Sequence, residues 1–374
     1  MHRRTFIKNA IIVNEGRTFV GSLVIDDDRI EEIIEGKDVK PQLPPDSVID
    51  AEGCYLLPGV IDEHVHFRDP GLTAKGTFYT ESRAAAAGGV TTVIDMPNTV
   101  PPTVTKERLM QKIEIAQQQS LVNFGFFLGA TPDNAARLKD VNPRLVAGIK
   151  LFMGSSTGEL QVEDKPTLRT IFEQSKLPIM VHCEDTPMIV AKMKEYKEKY
   201  GQDPHVRYHP EIRPAEACVK STKEAIALAR EFDVKLHVAH ITTAAELDLF
   251  DPNDKQITAE ACLPHLMFAS EDYERLGARI KCNPAVKYAT DREAIRAALT
   301  DGRIRTIGTD HAPHRIADKT GGAAKATSGM PFVQFSLVSM LDLVDEGVLP
   351  IERMVELMCH NPARVFGIEN RGFL

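Results

Sequence analysis

The sequence predicts an α/β fold, a (β/α)8 TIM-type barrel over residues 57–374 preceded by a small N-terminal β-sandwich-like domain over residues 1–56. Three observations lead there. After residue 56, eight apolar runs alternate with charged stretches of helical period: LLPGVIDEHVH, VTTVIDM, NFGFFLGA, VAGIKLFM, PIMVHCE, KLHVAHI, QITAEAC and RTIGTDH. Before it, the short runs FIKNAIIV, TFVGSLVID and CYLLPGVID are punctuated by Gly, Asp and Asn, the pattern of short antiparallel strands. Finally, His64, His66, Lys150, His182, His240 and Asp310 all fall at or near the C-terminal ends of the later runs, which a barrel gathers at one mouth. A doubly wound open sheet is the structural competitor, but no Gly-rich nucleotide fingerprint follows any of the runs.

Bulk properties narrow the partner. The chain has 374 residues, 43% of them hydrophobic and 26% charged, enough to bury a large core without staples. A net charge of -8 with no dense Lys/Arg cluster argues against nucleic acid or an anionic membrane surface and for a small molecule. No apolar run reaches bilayer length, and the opening MHRRTFIKNAIIVNEG lacks the apolar stretch of a signal peptide, so the cytoplasm is the expected compartment. The six cysteines form no CxxC pair and read as reduced core thiols. A homodimer is expected only because dimers are the commonest assembly.

The candidate chemistry is built from side chains that are ambiguous singly. His64 and His66, two apart on a strand, point to one face and can grip one metal ion, although an isolated HxH also reads as a polar strand end. His182 and His240 each end a further run, where a single histidine is commonly a hydrogen-bonded structural residue. Together the four imidazoles and Asp310 point to metal, because burying them side by side without a cation or acid partner costs free energy. Lys150 lies in an apolar context, where an ammonium must be paired, neutralised or extended to solvent. A cationic lysine cannot ligate a metal, but its carbamate can bridge two. Asp310 can serve as ligand and proton shuttle, or as the N-cap of a following helix. Arg68, two residues past His66, should face the same mouth, where a guanidinium suits a carboxylate. An ion pair with Asp69 is the alternative for it. Asn98 and Asn283 also read as turn residues, and His314 as a polar helix start.

As an ordered set, PGVIDEHVHFRDPG, GGVTTVIDMPNT, GIKLFMGSSTG, VHCED, HVAHIT, KCNPAVK and GTDHAPH resemble the amidohydrolase superfamily, and within it the dihydroorotases. The resemblance runs from the β-rich start to NPARVFGI. It implies two zinc ions per chain, one held by His64, His66 and Asp310 and the other by His182 and His240, with carbamylated Lys150 and a hydroxide bridging them. The implied reaction is reversible hydrolysis of the cyclic amide of (S)-dihydroorotate to N-carbamoyl-L-aspartate by that hydroxide, in pyrimidine biosynthesis, with Asp310 as the catalytic proton shuttle. Arg68, Asn98 and His314 would hold the substrate carboxylate and Asn283 would contact the ring. Thr157, in the loop GSSTGEL, would touch the substrate from above.

The context of Lys150 is also similar to hydantoinases and allantoinases, the nearest alternative. Arg68 and His314 separate the two, since a neutral hydantoin gives no reason for a cation there. A non-catalytic dihydroorotase-like scaffold is the alternative from another class, and it would be expected to have lost a ligand. Relatives in this family continue past the barrel with strands that complete the β-domain, and the final RGFL resembles the start of that return, so an incomplete C-terminus is expected.

Overall fold

The computed structural model describes residues 3–154 and 160–374. Strands β1 (Arg4–Asn14) and β2 (Arg17–Asp26) form a hairpin whose turn residues, Glu15 and Gly16, both take left-handed backbone with φ of 48° and 77°. That pair of angles matches the right-handed twist of the flanking strands. β3 (Arg29–Glu35) adds antiparallel to β2. Antiparallel pairing does not extend to the rest of this sheet. β4 (Ser47–Asp50) and β5 (Tyr55–Leu56) both pair parallel with β1. The physical reason is the connection: residues 36–46, GKDVKPQLPPD, are too long and too rich in proline for a tight turn, so the chain crosses back and re-enters on the other edge of β1. Among the described residues this domain is one mixed sheet of five strands.

The barrel strands are β6 (Val60–Val65), β7 (Val90–Asp95), β8 (Asn123–Gly129), β9 (Gly148–Met153), β10 (Ile179–Cys183), β11 (Leu236–Val238), β12 (Ile257–Cys262) and β13 (Thr306–Gly308). Each pairs parallel with the next in chain order. Every residue of β6, β9, β10 and β12 is buried, because helices cover the outside and side chains fill the inside. Closure occurs just beyond β13, where His311 donates its N–H to the His64 carbonyl at 3.2 Å and accepts from the His66 N–H at 2.7 Å. Ile94, Met96, Phe127, Met180, Ala239 and Phe366 pack together, and Phe366, from the helix Asn361–Phe366, meets Phe127 with ring centroids 5.3 Å apart.

After β6 the chain makes a tight turn at Arg68–Gly71, with the Leu72 N–H donating to the Arg68 carbonyl at 3.0 Å. Gly71 has a φ of 84°, and a Cβ there would overlap the Val100 carbonyl oxygen. Gly53 has a similar φ of 79° but open space around it. Gly71→Ala should therefore lower stability by about 1–3 kcal/mol more than Gly53→Ala, since both carry the backbone strain and only the first carries the clash. Denaturant unfolding of the two variants checks this, and equal losses would contradict the close approach.

Candidate metal centre at the barrel mouth

The strands deliver His64, His66, Lys150, His182, His240 and Asp310 to one small cavity of about 30 Å³, which Arg68 and Asn283 also line. That volume suits an ion or a water rather than an organic substrate. His64 and Lys150 lie within β6 and β9, and His182 within β10. His240 and Asp310 stand just past β11 and β13 in left-handed backbone, with φ of 40° and 48°. Such backbone is costly outside glycine and is concentrated at functional sites. Arg68 shares it, with φ 69°.

His66 Nε2 lies 3.0 Å and His64 Nε2 3.3 Å from Asp310 Oδ1. The opposite ring nitrogens are both engaged: His64 Nδ1 donates to Glu260 Oε1 at 2.8 Å, and His66 Nδ1 to Asn98 Oδ1 at 2.7 Å. Those bonds place the protons on Nδ1 and leave both Nε2 lone pairs turned toward Asp310. His182 Nδ1 faces His240 Nε2 at 2.9 Å. On its far side His182 Nε2 is 3.1 Å from Glu184 Oε2, an ion-pair distance without hydrogen-bond alignment. Glu184 is in turn gripped by the Arg213 guanidinium at 2.5–3.2 Å.

Electrostatics prepare these groups as donors. Burial pulls His66 down to about 4, and it lowers His182 and His240 as well, so all three are neutral near pH 7. Burial alone would raise the Asp310 carboxyl, but the imidazoles of His64 and His66 outweigh it and hold Asp310 well below the ordinary carboxylate range. Lys150 is fully buried, its Nζ has no hydrogen-bond partner, and burial lowers it to about 8 against the opposing charges of Glu260 and Asp310. An ionised carboxylate, neutral imidazoles and an unpartnered buried amine form a donor set that fits cations, with the ligand atoms of His64, His66 and Asp310 all within 4.8 Å of one another.

A larger cleft of about 690 Å³ adjoins this cavity and is lined by Arg68, Asn98, Asn283 and His314. Arg68 Nε donates to the Pro313 carbonyl at 3.2 Å, and its Nη2 lies 3.1 Å from His314 Nε2. Burial, reinforced by the Arg68 charge, holds His314 at about 3. Among the described residues the charged lining of the cleft is cationic throughout: Arg68, Lys75, Arg213 and Lys281. Thr157 lies outside the described residues.

Residues 55–372 match the model of the amidohydrolase family. The chain belongs to that family. Dihydroorotase from Methanosarcina mazei is 34% identical over 378 residues, covering 98% of this chain and 81% of that protein. Allantoinase from Bacillus velezensis is 31% identical, covering 98% and 82%. Among solved structures, L-hydantoinase (dihydropyrimidinase) from Arthrobacter aurescens superposes with a TM-score of 0.92 at 29% identity, covering 100% of this chain and 84% of that one.

The carboxylates that orient this amidohydrolase's histidines escaped the sequence reading. Glu260 and Glu184 carry no spacing signal, and only an acid inside an apolar run, QITAEAC or VHCED, could have marked them. Asp95, which ends β7, is another. It accepts the Phe67 N–H at 2.7 Å and pairs with Lys112 Nζ at 2.5 Å, while that ammonium donates to the Met96 carbonyl at 2.7 Å. Both side chains are fully buried. The pair therefore ties the backbone between His66 and Arg68 to the strand end that leads to Asn98. Lys112→Met should cost about 3–5 kcal/mol, the cost of stranding a buried charge, and the Asp95→Asn/Lys112→Met double variant should recover most of it. Chemical denaturation measures both, and a neutral single variant would refute the tie.

Proposed function

We propose that the chain is a dihydroorotase, with residues 57–374 as the catalytic barrel and residues 1–56 as an accessory β-domain. The observation that carries this reading is Arg68. It is 6% exposed, on the wall shared by the cavity and the cleft, and among the described residues it forms no ion pair with a carboxylate, Asp69 included. Asp310, Asp95 and Glu81 oppose its charge only from a distance, so the buried guanidinium is open to an anionic ligand in direct contact. Dihydroorotate brings a carboxylate on a cyclic amide, whereas a simple hydantoin brings none. The similarity to curated dihydroorotases supports the same choice.

His64, His66 and Asp310 would hold one zinc ion and His182 and His240 a second, with Lys150 bridging them as a carbamate. When bound, the two ions would polarise the ring carbonyl and lower the pKa of a water to near neutrality. Lys150 joins by attack of its neutral amine on carbon dioxide, which forms the N–C bond and releases one proton. In the hydrolytic direction one water is added and the ring amide C–N bond breaks, giving N-carbamoyl-aspartate. Asp310, ionised and poised between His64 and His66, takes the proton of that water and delivers it to the departing nitrogen. Arg68 and His314 hold the substrate carboxylate. Asn98 joins them through its amide N–H2, because its carbonyl oxygen is committed to His66. Asn283 contacts the ring, and Thr157 is the further substrate contact of this reading.

The purified protein should cyclise N-carbamoyl-aspartate and hydrolyse dihydroorotate faster than 5-substituted hydantoins. The reverse preference would move the assignment to the hydantoinases. Arg68→Met should raise KM for dihydroorotate about 10- to 100-fold, the loss of charge-assisted hydrogen bonds worth ~1.5–3 kcal/mol, with metal content intact. Loss of metal instead would mean that the anchor is misassigned. Only the neutral amine of Lys150 reacts with carbon dioxide, and its pKa is about 8. At fixed dissolved carbon dioxide, zinc reactivation of metal-free protein should accelerate roughly tenfold per pH unit below that value and level off above it. A pH-independent rate would contradict the carbamate.

A further inference from the structure

Inside the barrel, on the far side of Glu260 from His64, lies a second group of ligating side chains that the proposed reaction leaves unused. Glu63, His237 and Glu260 are each no more than 1% exposed, and one ligand atom from each lies within 4.8 Å of the others. Glu260 Oε1 is fully engaged, accepting from His64 Nδ1 at 2.8 Å, the His240 N–H at 2.9 Å and the Cys262 thiol at 3.0 Å. Its other oxygen, Oε2, has no hydrogen-bond partner, and neither has either oxygen of Glu63. The Thr306 hydroxyl is committed to His237, forming a hydrogen bond with its Nε2 at 3.2 Å, and leaves both Glu63 oxygens without one.

The protonation of His237 follows from its neighbours. Its Nδ1 is 2.7 Å from Thr258 Oγ1, whose own proton goes to the Leu236 carbonyl at 3.3 Å. Thr258 therefore accepts from Nδ1–H, which leaves the lone pair on Nε2. The ring is held against Phe366, with centroids 5.3 Å apart. Two carboxylates thus meet beside His237 in the buried interior with three oxygens unpartnered, and the one neighbouring hydroxyl is already given to the imidazole.

We propose that Glu63, His237 and Glu260 form a divalent transition-metal site within the barrel, separate from the constellation at the mouth. A proton shared between the two carboxylates would satisfy one oxygen of each and leave the second Glu63 oxygen without a partner. A cation engages both carboxylates and the imidazole together. Two carboxylates and one imidazole suit zinc or manganese, whereas magnesium and calcium favour larger all-oxygen shells. His237 and Thr258 also line a cleft of about 430 Å³, which supplies an entry path. Glu356 lies on its rim among Lys235, Lys255, Arg305 and Arg364, and those cations slow the exchange of an ion through it. Bound there, it would fix the Glu260 carboxylate that orients His64.

The test is elemental analysis of protein made with zinc and freed of loose ions by gel filtration, comparing wild type, Glu63→Gln and His237→Gln. Both variants should hold one equivalent of zinc per chain less than wild type. Glu63→Gln is nearly isosteric and is the milder change, because His237 lies on β11, three positions before the mouth residue His240. Should either variant fail to fold, anomalous diffraction from wild-type crystals at the zinc edge should show a peak between Glu63, His237 and Glu260. Equal zinc in all three proteins, or no such peak, overturns the site. The difference between wild type and variants reads this site, and the zinc that the variants retain reads the mouth, so the two assignments fail separately.

Discussion

The pair of hydrogen bonds through which His311 closes the barrel onto His64 and His66 governs the rest of the site. Both partners belong to the histidine pair of the first barrel strand, and Asp310 immediately precedes His311. Closing the sheet at that register therefore brings the last strand's carboxylate to within 3.0–3.3 Å of the two imidazoles. A slip of one residue would turn the alternate side chains away from the mouth. The ends of the chain's barrel segment are thus joined at the place where the chemistry is proposed, so fold closure and site assembly are one event.

Around that seam, buried acids do most of the orienting. Glu260 holds His64, Glu184 faces His182 and is itself held by Arg213, and Asp95 with Lys112 fixes the backbone beside Arg68. Burial would push the Glu260 and Glu184 carboxyls toward their acid forms. Where an imidazole or guanidinium stands alongside, the opposite outcome prevails: Glu260 settles at about 2, and Glu184 falls below the usual range. Asp62 shows the contrast, because burial prevails there and carries it to about 7 despite bonds from Thr309 and His64. Ionised acids behind neutral imidazoles make better donors of those rings and explain why so much polarity is tolerated in the interior.

Much of this was legible in the sequence because a barrel imposes a strong rule: strands alternate with helices, and functional side chains gather at strand ends. His64, His66, Lys150, His182, His240 and Asp310 obeyed it, and the structure brings all six into one cavity. What could not be read depends on contacts across the barrel. Glu260 meets His64 from 196 residues away, and no local pattern encodes that approach. Asn98 was legible as a substrate contact, but its bond to His66 was not. In the N-terminal domain the hairpin of β1 and β2 followed local turn chemistry. The parallel return of β4 and β5 did not, because a loop with three prolines sets no strand direction by itself.

Lys150 is where the account is most exposed. Its amine is fully buried without a hydrogen bond, an arrangement that is costly unless the amine is converted into something the surrounding donors and cations can use. The most direct measurement is ¹³C NMR of the zinc-loaded protein equilibrated with ¹³C-bicarbonate. The account predicts one carbamate resonance per chain, absent from Lys150→Ala. A zinc-loaded wild-type protein with no carbamate signal, or a signal that survives in Lys150→Ala, would contradict it.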